Sequence, residues 1–231
     1  MNIAGFNKTT LLDYPHHLAA TIFFRGCDFR CPFCHNSSLV LPERADNTSV
    51  SDEDILSYLK KRSSILEGVC ITGGEPSLQA ELPVFIEKIK QLGLKVKLDT
   101  NGNHPELLQF LIKNQLIDYI AMDIKNSLSK YGSTIGIPGF DTGKIEKSVK
   151  LIRSGSIPYE FRTTIVKELH TKQDIQEIGI WLSGSSLYYL QSFEDSGDIL
   201  CPNLSAHTKD TISQFQKILS QYITQVAIRG L

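Results

Sequence analysis

The 231-residue sequence predicts an α/β fold in which repeated βα units surround a parallel sheet. Three observations carry that prediction. Short apolar runs rich in β-branched residues alternate with helix-length segments whose apolar residues recur with a period of 3.6. The alternation covers nearly the whole chain without a Gly/Ser linker, a low-complexity tract or a close repeat, so residues 1–231 are expected to form a single domain. Polar residues gather wherever a predicted strand ends.

Taken in order, the strands are expected at Ala19–Phe24, Val69–Thr72, Lys95–Leu98, Tyr119–Met122, Glu160–Val166 and Leu187–Leu190, with Gln225–Ile228 as a seventh candidate. Between them, Leu82, Phe85, Ile86 and Ile89 mark one amphipathic helix, and Ile212, Phe215, Leu219 and Tyr222 another. Ser51 with Asp54 three residues later signals a helix start, and Asp210 is expected just ahead of the last helix. Six βα units are too few for a complete eight-stranded barrel. They suit an open three-quarter barrel or a doubly wound sheet, which periodicity alone does not separate. In either case function belongs in the loops at the C-terminal ends of the strands, because those loops converge on one rim.

Composition narrows the function classes. A formal charge of −1 gives no long-range field for nucleic acid or anionic lipid. The chain has 41% apolar and 21% charged residues with no apolar run long enough to span a bilayer, and Met1–Asp13 lack the features of a signal peptide, so a cytoplasmic protein is expected. Five cysteines is an odd count, and three of them fall within eight residues, which suits metal binding better than a disulfide framework.

Those three are Cys27, Cys31 and Cys34, a Cys-x3-Cys-x2-Cys spacing in the loop after the first predicted strand. Soft thiolates select an iron–sulfur cluster, Zn²⁺ or Cu⁺ over hard cations. Three ligands leave one iron of a cubane open, whereas an electron carrier normally has four. The competing reading is a zinc site completed by His35, although the side chains of neighbouring Cys34 and His35 diverge. Cys70, inside a predicted strand, reads as core packing.

Other strand ends carry candidate ligand contacts. Gly73 and Gly74 allow close approach of backbone to a ligand, or simply make a tight turn ahead of Glu75. Asp99, in Asp99-Thr100-Asn101-Gly102, and Asp123 could accept from ribose hydroxyls, while Lys125 and Arg162 could pair with a carboxylate; alone, each is equally a loop cap or a solvated charge. Gln191 and Phe193 offer a purine one amide and one stacking face. His16, His17, His104, His170 and His207 lack metal-ligand spacing and are expected at the surface or as caps.

With Phe33 before its last cysteine, the cysteine motif resembles that of the radical S-adenosylmethionine family. Gly5-Phe6, Lys8 through Pro15, Gly26-Cys27, Cys34-His35-Asn36, Gly73-Gly74-Glu75-Pro76 and Ile228-Arg229-Gly230 are similar to activators of glycyl-radical enzymes within it. The resemblance implies an open partial (β/α)6 barrel, and a 4Fe–4S cluster on Cys27, Cys31 and Cys34 whose open iron takes the methionyl amine and carboxylate of S-adenosylmethionine. Gly74 and Glu75 would contact that amine, with Phe33, Gly73 and Asn101 in the matched motifs around it. Asp99, Asp123 and Lys125 would line the ribose and carboxylate region, and Arg162 would hold the carboxylate. Gln191 and Phe193 stand where relatives carry a histidine. The implied reaction makes a 5′-deoxyadenosyl radical that takes a hydrogen from a glycine of a partner, foremost anaerobic ribonucleoside-triphosphate reductase. A low-potential donor such as flavodoxin or ferredoxin would supply the electron. A different glycyl-radical enzyme or a purine-like small molecule is the alternative substrate.

Overall fold

The computed structural model describes residues 1–41, 50–195, 197 and 199–230. Eight strands form one sheet: β1 Ile3–Thr10, β2 Ala19–Phe24, β3 Gly68–Gly73, β4 Lys95–Thr100, β5 Tyr119–Asp123, β6 Tyr159–Ile165, β7 Leu187–Ser192 and β8 Gln225–Arg229. Their order in space repeats their order in the chain. β1 runs antiparallel to β2, every later pair is parallel, and β8 does not meet β1. A doubly wound sheet needs a point where the strand order reverses, and this order has none. The sheet is therefore the open barrel, and the seventh candidate strand is present as β8.

β1 was not expected from the sequence. Its second half, Asn7-Lys8-Thr9, is exposed and polar, so it lacks the alternating apolar signal that reveals a half-buried strand. Strand ends also run beyond the predicted ones: Asp99, Thr100, Asp123 and Gln191 sit in the last turn of their strands and not in loops. They are thus held by the ladder itself.

The helices are α1 Ser37–Val40, α2 Asp52–Arg62, α3 Leu82–Gln91, α4 Pro105–Lys113, α5 Tyr131–Thr134, α6 Gly143–Ser154, α7 Lys172–Trp181 and α8 Lys209–Leu219. The longer helices cover the outer face, and the short α1 lies at a cleft on the C-terminal rim. The expected stripe Leu82, Phe85, Ile86 and Ile89 is buried on α3, as are Ile212, Phe215 and Leu219 on α8, while Tyr222, expected in the same stripe, lies past the end of α8 and is half-buried. They pack into one core with Ile22, Ile71, Leu98, Ile120, Phe161 and Leu190. Burial of each such side chain is worth about 1.5–3 kcal/mol against exposure. Ser51 Oγ accepts from the Asp54 N–H at 3.0 Å and caps α2. The cap of α8, however, is Thr208, and Asp210 lies inside the first turn, where its charge favours the helix N-terminus.

Strand residues of the opposite parity face the barrel interior. Thr21 pairs with Cys70, Cys70 with Lys97, and Asp123 with Arg162 in adjacent strands, so these side chains share one face. No helix among the described residues is long and apolar enough to cross a membrane.

Candidate cluster and cofactor site

The loop from Gly26 to Asn36 follows β2 at the C-terminal rim. Gly26 takes a positive φ of 90°, and Cys34 donates its N–H to the Cys31 carbonyl at 3.0 Å, so the second and third cysteines share a turn. Cys27, Cys31 and Cys34 all border one open cleft enclosing ≈ 800 Å³. Phe29, Phe33 and Val40 give it apolar walls, and Thr72, Gly73 and Gly74 come from the end of β3. Asp99, Thr100, Asn101, Asp123, Lys125, Arg162 and Thr164 supply a polar side from β4, β5 and β6.

That polar side is a bonded network. Arg162 donates from Nε to Asp123 Oδ1 and from Nη2 to Asp99 Oδ2 at 3.1 Å. Lys125 Nζ donates to Asp123 Oδ2 at 2.9 Å, and Lys97 Nζ to Asp99 Oδ1. Burial alone would raise both carboxyls, but the flanking cations outweigh it and hold Asp99 and Asp123 below the usual range. Two anions and three cations thus balance to within one charge.

Gly73 and Gly74 serve the chain as well as the cleft. A Cβ on Gly74 would lie 2.0 Å from the Gly26 carbonyl oxygen, and one on Gly73 would lie 2.3 Å from the Phe24 nitrogen. Gly74 N–H donates to Phe24 O at 2.8 Å and Glu75 N–H to Gly26 O at 2.7 Å. The two glycines let the turn after β3 lie against the start of the cysteine loop.

Three of the expected contacts, Glu75, Gln191 and Phe193, do not line the cleft. Glu75 is fully buried and not among the lining residues. Its carboxylate accepts from Thr100 Oγ1 at 2.8 Å, Asn101 N–H at 2.6 Å and Ser77 Oγ at 2.5 Å, which leaves it tying the third rim loop to the second. Gln191 is half-buried on β7, beside lining residue Thr164, but does not line the cleft. Phe193 is buried and stacks on His35, ring centres 5.5 Å apart at 28°; His35 itself faces the cleft, and burial lowers its basicity.

The histidines correct another expectation. His170 is fully buried, accepting from the Val166 N–H at 3.0 Å and donating from Nε2 to the Lys125 carbonyl at 2.8 Å, with burial keeping it neutral. A satisfied pair of ring nitrogens is what allows an imidazole inside a core. His104 binds Asp28, and neither residue had a sequence signal beyond Asp28's place between two cysteines. Cys70 is buried as expected, but beside Lys97 Nζ at 3.7 Å on the interior face and apart from the apolar cluster.

The donor set fits a polynuclear cluster. Among the described residues no three His, Cys, Asp or Glu side chains converge on a single-ion site. Three thiols around one cleft suit instead a group in which each thiolate bonds a different iron. Burial pushes the free thiols of Cys27 and Cys31 up, to about 12 and about 11, so binding must release their protons.

Comparison with known proteins agrees. Residues 21–181 match the model of the Radical SAM superfamily. A Methanocaldococcus jannaschii protein that carries the name of a glycyl-radical enzyme activating enzyme is 33% identical over 99% of this chain and 96% of its own. The 7-carboxy-7-deazaguanine synthase of Thermococcus kodakarensis is 28% identical over 46% of this chain and 49% of its own. Among solved structures, SuiB of Streptococcus suis bound to S-adenosylmethionine superposes with a TM-score of 0.67 at 17% identity, over 88% of this chain and 48% of that one. A domain of the pyruvate-formate lyase-activating enzyme of Bacteroides vulgatus gives 0.57 at 18% identity, over 71% and 99%. With its cysteine-lined cleft at the mouth of an open barrel, the chain belongs to the radical S-adenosylmethionine superfamily, whose members use a 4Fe–4S cluster and S-adenosylmethionine.

Proposed function

We propose that this protein activates a glycyl-radical enzyme, taking a hydrogen atom from the α-carbon of a glycine in that partner. The observation that carries the reading is the near full-length similarity to a relative named for that activity. In this reading Cys27, Cys31 and Cys34 would hold the cluster. When bound, the cluster and S-adenosylmethionine supply a 5′-deoxyadenosyl radical, with methionine as the other product.

The chain's own residues bind and orient. Lys125 and Arg162 offer donors to the methionyl carboxylate, and Asp99 and Asp123 offer acceptors to ribose hydroxyls. Each of these is already paired, so the ligand exchanges for existing ion pairs without any charge being left bare. Gly73, Gly74, Phe33 and Asn101 border the cleft beside them. No side chain is asked to move a proton. Phe29, Phe33 and Val40 form an apolar wall that would keep water from the reacting end. Since β8 does not close on β1, the barrel leaves a lateral way in for a protein loop.

The partner we favour is anaerobic ribonucleoside-triphosphate reductase, on the motifs from Gly5 to Pro15 and around Cys34-His35-Asn36, with flavodoxin or ferredoxin as electron donor in the cytoplasm. Incubating the reconstituted protein anaerobically with S-adenosylmethionine, reductant and that reductase should give a glycyl-radical doublet in electron paramagnetic resonance. Formation of 5′-deoxyadenosine without the doublet would favour the second reading, a different glycyl-radical enzyme or a small purine-like substrate, the latter supported by the similarity to 7-carboxy-7-deazaguanine synthase.

A further inference from the structure

The cysteine loop holds much of itself. Phe29 N–H donates to Cys27 Sγ at 3.4 Å, and Arg30 Nη1 donates to the carbonyls of Cys27 and Phe29 at 2.6 and 2.8 Å. Asp28 has its Oδ1 4.0 Å from the neighbouring Cys27 Sγ and also reaches out of the loop. Its Oδ1 accepts from Asn101 Nδ2 at 2.7 Å, and its Oδ2 from Asn103 Nδ2 at 2.6 Å and His104 Nε2 at 3.0 Å. All three donors follow β4, and the Asp28 side chain is only 21% exposed.

The donors are themselves fixed. Asn101 gives its N–H to buried Glu75 at 2.6 Å, and its Oδ1 accepts the Asn103 N–H at 2.9 Å. Its Nδ2 also lies 4.0 Å from Cys27 Sγ, so the amide that binds Asp28 borders the neighbouring thiol. A carboxylate with three donors on two oxygens has little freedom left, and its backbone is one peptide bond from Cys27.

We propose that Asp28, clamped by Asn101, Asn103 and His104, is a positioning residue that fixes the sulfur of Cys27 for cluster binding and couples the cluster loop to the β4 rim. Partners of this kind, which orient a metal ligand without touching the metal, typically change affinity about 10- to 100-fold when removed. The clamp serves any substrate of the fold, so it is independent of the proposed partner. It does rest on Cys27 as a ligand.

The test is cluster loss from reconstituted protein under an iron chelator, followed by absorbance, together with the electron paramagnetic resonance spectrum of the reduced cluster with and without S-adenosylmethionine. Asp28→Ala should lose its cluster about 10- to 100-fold faster than the parent and show a changed spectrum. Asp28→Asn, which keeps one acceptor oxygen, should recover part of both. If Asp28→Ala does not fold, the Asn103→Ala/His104→Ala double variant, which keeps Asp28 and its Asn101 bond, should show the same changes in smaller degree. A parental loss rate and spectrum in whichever variant folds overturns the clamp. So does faster loss with a parental spectrum, the result a merely destabilised fold gives, for which Asp118→Asn is the control, its carboxylate bonding Lys90 and the Val96 N–H ahead of β5 and outside the cleft lining. Cys27→Ala separates the two claims: a stable parental cluster there sinks the ligand assignment, while cluster loss there with parental Asp28→Ala sinks the clamp alone.

Discussion

Gly74→Ala adds one methyl group at the crossing of two rim loops, and its effect can be worked from the structure. The new Cβ would sit 2.0 Å from Gly26 O and 2.7 Å from Gly26 C, both backbone atoms, so no side chain can rotate away. Reaching ordinary contact needs a shift of roughly 1 Å or more, on the scale at which packing strain costs about 1–3 kcal/mol. The same shift breaks or stretches the 2.7 and 2.8 Å hydrogen bonds from Glu75 and Gly74, each worth about 0.5–1.5 kcal/mol. The expected loss is therefore about 2–6 kcal/mol, which for a chain of this size lowers Tm by about 4–24 °C. Urea denaturation of the cluster-free protein measures it, and iron content after reconstitution reports the loop. Gly93→Ala is the internal control: it has φ +80° but nothing within 4 Å of its Cβ, so it should cost about 1 kcal/mol from backbone strain alone. If Gly74→Ala stays within about 0.5 kcal/mol of the parent, or no worse than Gly93→Ala, the close loop packing described above is wrong.

Cys31→Ala should abolish cluster assembly, whereas Cys70→Ala, with its sulfur beside Lys97 and away from the cleft, should leave iron and sulfide content unchanged. Arg162→Met leaves Asp99 and Asp123 without the cation they share; a loss of about 3–5 kcal/mol in urea denaturation is expected, and a neutral result would remove the network's structural role. The pH dependence of Asp174 has a definite sign. Burial would raise its pKa, but the Lys130 ammonium at 2.8 Å and the Thr171 donors hold it below the usual carboxylate range. Its stabilisation is thus complete above about pH 4 and fades as pH falls through the depressed value. Asp174→Asn should cost about 1.5–3 kcal/mol at pH 7 and converge on the parent in acid; a gap that widens in acid would contradict this account.

Much of the site was legible because its residues sit at strand ends, where a short apolar run followed by Asp, Lys or Cys needs no long-range knowledge to interpret. Asp99 and Asp123 at the ends of β4 and β5, Lys125 just after β5 and mid-strand Arg162 converge because the parallel register sets Arg162 beside Asp123. That the Glu75 carboxylate turns away from the cleft could not be read from its place in a motif, because the Thr100 and Asn101 donors that capture it come from another strand. His170 misled for a related reason: its partners are the backbone of Val166 and Lys125, which leave no trace in residue type. The strand β1 was hidden by its polar second half, and its place depends on the edge of β2 it pairs with. Tertiary partners, and not local propensity, decided each of these.

The monotonic strand order bears on assembly. Every strand finds its neighbour one connection away, so the sheet can grow by successive addition as the chain emerges, with no early strand left waiting for a distant one. The cleft does not grow that way: it draws on five consecutive strands and lacks Arg162 until the fifth of them, β6, has docked. The wall facing the three cysteines is therefore among the last parts of that rim to be completed, well after the cysteine loop itself has been made.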